Sequence, residues 1–134
     1  MLALLCAAPL AGCLAACGAT TSVSTSRFKG EQQQVAQTIA HLQSHATALE
    51  AKKICTEDLA AALVARLDKS PGGCKQAIES QLKQVDDFNS TVELVWIEGN
   101  TAGAHVKSIA LGKNRLYTLA FIREGGKWRI TGIA

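Results

Sequence analysis

From Thr91 to Ala134, apolar and polar residues alternate in runs separated by Gly and Asn, and no other feature limits the fold as much. Period-two alternation with β-branched and aromatic residues is the mark of half-buried strands. The pattern predicts four: Thr91 to Glu98, Thr101 to Ile109, Arg115 to Arg123 and Lys127 to Ile133. The links Glu98-Gly99-Asn100, Ala110 to Asn114 and Glu124-Gly125-Gly126 are too short for anything but hairpins, so the sheet is an antiparallel meander. Val92, Leu94 and Trp96 share one face, as do Ala102, Ala104 and Val106, and as do Trp128 and Ile130; these sets are expected to face the helices. On the third strand, Leu116, Ala120 and Ile122 compete with Tyr117, Leu119 and Phe121 for that side. A two-residue turn at Gly125-Gly126 would place Phe121 opposite Ile130 and point it inward with Tyr117. The other face then keeps large apolar residues suited to a homodimer contact or a covering segment.

The start of the chain has a different logic. Residues 1–16 are apolar or small throughout and carry no charge, too short a run to span a membrane but suited to the apolar region of an export signal. No positive charge precedes this run, which reads as a start placed too late. Two cysteines lie in Leu10-Ala11-Gly12-Cys13 and Leu14-Ala15-Ala16-Cys17, both of which resemble the lipobox of bacterial lipoprotein signals. That resemblance implies cleavage before the cysteine and acylation, palmitate included, at Cys17, with Cys13 as the alternative. Gly18 to Ser26 form a small, polar run, and residues 17–30 are expected to form a disordered tether, leaving one domain at residues 31–134. The reading is of an exported protein, lipid-anchored to the outer face of a cell or other envelope membrane.

Between tether and sheet the period changes to that of helices. Val35, Ile39, Leu42, Ala46 and Leu49 form one stripe on a helix from Glu31 to about Lys53. A second helix is expected from Glu57 to Leu67, with Thr56 as its N-cap, and stops at Ser70-Pro71-Gly72-Gly73. A third runs from Cys74 to about Val85. The fold class is therefore α+β, three N-terminal helices packed on a curved four-stranded antiparallel sheet. Cys55 and Cys74 are the only cysteines after the signal region, and in an exported chain they are expected to be joined in a disulfide.

Fourteen basic and eleven acidic residues are scattered rather than clustered, which gives no argument for nucleic acid as a partner. Three helices, then an antiparallel sheet ending in Gly126-Lys127-Trp128-Arg129-Ile130, behind a lipobox and with a cysteine pair in the helical part, resemble small exported lipoproteins of the nuclear transport factor two-like superfamily. The resemblance covers Glu31 to Ala134 and implies a cone: a bent sheet around the first helix, with a pocket at its open end. Trp96, Tyr117 and Trp128 are then candidate pocket walls.

The superfamily also holds ketosteroid isomerase-like and dehydratase-like enzymes, whose chemistry needs a carboxylate base and an oxyanion donor in an apolar cavity. Tyr117 could donate, but Glu93 falls on the face opposite Trp96, and Asp86 and Asp87 read as loop residues. No catalytic residue, cofactor or metal is assigned. His41 and His45 stand one helical turn apart without a third ligand nearby, and read as the polar flank of the first helix. The leading expectation is a non-catalytic interaction or dimerisation module with an envelope protein as a further partner; the alternative is a carrier or sensor of a small apolar ligand. The alanines at 102, 104 and 120 bear on this choice, because they leave a cavity unless the first helix fills it.

Overall fold

A computed structural model describes residues 25–85, 89–110 and 113–133, the side chains of Ile109 and Ala110 excepted. The signal region, both lipobox cysteines, Asp86 and Asp87 lie outside the described residues. Four α-helices precede four strands: α1 (Gly30–Thr47), α2 (Ala51–Lys53), α3 (Ala61–Leu67), α4 (Gly73–Leu82), then β1 (Ser90–Glu98), β2 (Thr101–Ala110), β3 (Lys113–Glu124) and β4 (Lys127–Ile133). A single π-helical turn, Ile54–Asp58, follows α2 directly.

The strands form one antiparallel meander in chain order. Gly125 and Gly126 both take positive φ (55° and 77°), as a two-residue turn matched to strand twist demands, and the resulting register sets Phe121 opposite Ile130. Phe121 and Leu119 are therefore buried, and Leu116 points away, 61% exposed. Ala102, Ala104, Val106, Trp128 and Ile130 face the core as the alternation predicts.

The first strand departs from it. A bulge between Val92 and Leu94 resets the alternation, so that Val92 and Val95 are buried while Leu94 is half exposed and Trp96 pairs with Gly103 on the outer face. Val92, Leu94 and Trp96 thus do not share a side. The bulge is held from outside the sheet: the Arg27 guanidinium donates to the carbonyls of Val92 (2.8 Å) and Glu93 (2.6 Å), and Gln32 donates to that of Val95. Phe28, inside the segment expected to be tether, packs on the core. Gly103 leaves room for Trp96; a Cβ there would come within 2.1 Å of the indole ring.

The helical half is more divided than three helices. Leu49 adopts φ 57° and ends the long first helix early, so Lys53 belongs to a separate short helix. The expected second helix is interrupted because Leu59 leaves the helical conformation and bridges Ile130 in parallel, with Ala60 N–H donating to the Ile130 carbonyl at 2.8 Å. Thr56 is consequently inside the π turn, its hydroxyl donating to the Lys52 carbonyl, and caps nothing. The Ala61 N–H at the start of α3 is taken by the Glu124 carboxylate. The third predicted helix is shorter at its end, stopping at Leu82.

α1 lies across β1, β2 and β4, and its Val35, Ala36 and Ile39 are almost wholly buried. The small side chains of Ala102 and Ala104 sit under this cover rather than beside a void, and Ala120 pairs with Gly103 on the outer face. Trp128 is 4% exposed, with the Arg123 guanidinium 4.7 Å from its ring centroid and Glu31 pairing with that guanidinium. Trp128→Ala should therefore cost about 3 to 5 kcal/mol in urea unfolding; a cost under about 1 kcal/mol would remove the ring from the core.

Cys55, in the π turn, and Cys74, at the start of α4, form a disulfide across a sequence separation of 19. Closing a loop of that length lowers unfolded-state entropy by an amount worth about 3 kcal/mol. Cys74→Ser should lower the melting temperature by roughly 10 °C or more, and an unchanged melting temperature would contradict the bond.

Candidate functional site

Beyond the part of the sheet that α1 covers, the helices stand off the strands and enclose a cavity of about 450 Å³. Its floor is the concave face of β2, β3 and β4, represented by Val106, Leu119 and Ile130; its walls are Leu42 and Ala46 of α1, Leu63 and Leu67 of α3, and Ile78 and Leu82 of α4. The size is that of an ordinary small-molecule site. The local cause lies in α3. Seven residues long, it buries none of them fully: its apolar Leu63 and Leu67 pack against the edge of the core and stay partly exposed, with the rest of their surface lining the cavity.

Polar groups gather at one end of this space. Gln43, buried at 8% exposure, accepts a 2.8 Å hydrogen bond from the Ser90 hydroxyl. Ser90 stands opposite Ser108, and Tyr117 opposite Val106, so the pleat brings the Ser108 and Tyr117 hydroxyls to the same rim. None of the described residues that line the cavity carries a carboxylate, an imidazole or a cationic group.

Of the three aromatic residues expected as walls, only Tyr117 lines this cavity. Trp96 is on the opposite side of the sheet, edge-on to the His105 ring at 5.1 Å between centroids, because the β1 bulge turned it outward. Trp128 is buried beneath Arg123 and borders a different groove. Glu93 is exposed at the bulge, away from the cavity. The leucines of α3, which form the far wall, were visible in the sequence only as a helical stripe, and nothing in a stripe tells a filled contact from an open one.

The second groove, about 650 Å³, runs between α1, the π turn and the β3–β4 turn, lined by Gln34, Thr38, His41, Glu57, Asp58 and Arg129 among others. At its base His45 Nδ1 and Asp58 Oδ2 share a hydrogen bond of 2.7 Å, and His45 Nε2 lies 3.7 Å from Glu57. His41 and His45 do not converge on a common point: their ring centroids are 6.5 Å apart, and no cluster of three metal-binding side chains exists among the described residues. The pairing ties α1 to the π turn. No spacing rule announces it, since His45 and Asp58 belong to separate elements that only the Leu49 break brings face to face.

With geometry in hand, the comparisons can be placed. No protein-family model matches the chain, and no curated protein does. A solved structure named Rd1NTF2_05 superposes with a TM-score of 0.52 over 78% of this chain and 97% of its own, at 16% identity. The domain has the nuclear transport factor two fold. A second neighbour, titled a de novo designed NTF2 fold protein, NT-9, is 14% identical, covering 83% of this chain and 86% of its own with a TM-score of 0.46. In this domain the apolar cavity lies between the sheet and α3 and α4, which roof it.

Asp58 gives a pH test of the second groove. Burial pushes its carboxyl above the ordinary value, the hydrogen bond and charge of His45 pulling the other way. Between the ordinary and the raised pKa the folded state holds a proton that the unfolded chain has released, so stability falls as pH rises through that window. Asp58→Asn lacks this titration. Its unfolding free energy, relative to the unaltered protein, should therefore climb as pH rises from the ordinary aspartate pKa, about 4, through the raised one; a constant difference across the acid range would refute the account of the buried carboxyl.

Proposed function

We propose that this is a non-catalytic binding domain, tethered to an envelope membrane through an N-terminal lipid, which carries or senses a small apolar molecule in the cone. The observation that supports the reading is the roof of the cavity. Leu63 and Leu67 of α3 present apolar surface to a space of about 450 Å³ that no described side chain fills. Leaving such surface wet forgoes about 25 cal/mol for each Å², and an apolar guest recovers it.

The same lining argues against acid–base chemistry there. Tyr117 could polarise a carbonyl, but a proton abstraction also needs a base within hydrogen-bond reach, and the nearest buried carboxylate, Asp58, is engaged with His45 at the base of the other groove. Export and the acyl anchor at Cys17, or Cys13, rest on the lipobox resemblance.

One observation favours a second reading, a homodimer or envelope-protein contact through the outer sheet face. Leu94 and Leu116 are 51% and 61% exposed there, beside the half-buried Trp96 and Ile122. The two readings use opposite sides of the sheet and are separable.

Native mass spectrometry of the protein purified from an oxidising compartment tests both at once. The binding reading expects a monomer with a retained or re-loadable small mass. A dimer that Leu116→Lys dissociates, with no added mass under any loading condition, would replace it with the interaction module.

A further inference from the structure

Accepting the cone as a binding site, its wall says what kind of guest it takes. We infer that the ligand is an uncharged amphiphile, with an aliphatic or alicyclic body and one hydroxyl or carbonyl end, rather than a fatty acid or a cationic lipid. Transferring an ionised group from water to an apolar wall costs several kcal/mol unless a counter-charge meets it. No described lining residue supplies one. What the wall does supply is neutral donors and acceptors only, Gln43 with Ser90, then Ser108, Tyr117, Asn89 and Gln81, among otherwise apolar side chains.

Two cations come close without entering. Arg66 reaches toward Gly132 but donates to the Thr131 carbonyl at 3.1 Å. Arg115 stands opposite Ser108, one pleat beyond Tyr117, and is exposed. Among the described residues it is the group that could reverse the preference, by meeting a carboxylate at the mouth.

The test uses the full chain, oxidatively refolded without detergent, and the neutral dye N-phenyl-1-naphthylamine as the reporter of cavity occupancy. Decanol, decanoate at pH 8 and decyltrimethylammonium are compared as competitors of equal chain length. Decanol is expected to displace the dye at concentrations at least tenfold lower than either ion, and Tyr117→Phe should weaken decanol severalfold while leaving the dye itself bound. Leu67→Lys, which sets a cation in the wall, should invert the order in favour of decanoate. If decanoate competes as well as decanol in the unaltered protein, and Arg115→Gln abolishes that competition, the guest is an anionic amphiphile and the inference falls while the binding reading stands. If the dye neither binds nor is displaced by any of the three, the binding reading falls with it.

Discussion

The helical roof of this domain is held by ties rather than by filling. Ala60 N–H bonds to the Ile130 carbonyl, Leu59 bridges the same strand, and Cys55 is linked to Cys74 across the gap between the π turn and α4. These fix where α3 and α4 begin, so that their apolar faces need only partial packing against the core. α3 then has no fully buried residue and α4 only Cys74 and Leu82, with Leu63, Leu67 and Ile78 partly buried beside them. A roof fixed by packing would have closed on the floor, because small empty spaces forfeit dispersion contacts on every lining atom.

The core proper is elsewhere, under α1. There Val35 and Ile39 share one buried cluster with Val92, Val95, Ala104, Phe121 and Trp128, and small alanines on β2 let the helix approach. The domain thus divides its concave face in two along α1: the first half of the helix seals it, the second half looks into the cavity. The buried His45–Asp58 pair stands at this transition and ties the π turn back onto α1. A buried pair of this kind is weak evidence for stability, since its desolvation opposes its attraction, but it does specify one geometry for the turn.

How far the sequence revealed this depended on the range of the interactions. Strand boundaries, the hairpin at Gly125-Gly126 and hence the inward side of β3 followed from local turn chemistry, and the cysteine pair from compartment and spacing. The bulge at Glu93 did not, since it rests on Arg27, a residue more than sixty positions earlier that satisfies the bulged carbonyls. That missed bulge is why Trp96, expected as a pocket wall, lies on the outer face. The break at Leu59 likewise depends on Ile130, far along the chain, and no helix propensity marks it. The alanines left the choice open, a cavity unless the first helix fills it, because volume says nothing about what covers it; α1 covers Ala102 and Ala104, and Ala120 is on the outer face.

The central claim is that an apolar space stays open between the sheet and a roof that is tied to it and only partly packed on it. A crystal structure of the oxidised protein tests this most directly. The account predicts a space between α4 and the sheet wide enough for a guest, with elongated density running from Leu67 and Ile78 toward Tyr117. That space found filled by the side chains around it, with no room for a guest, would contradict it.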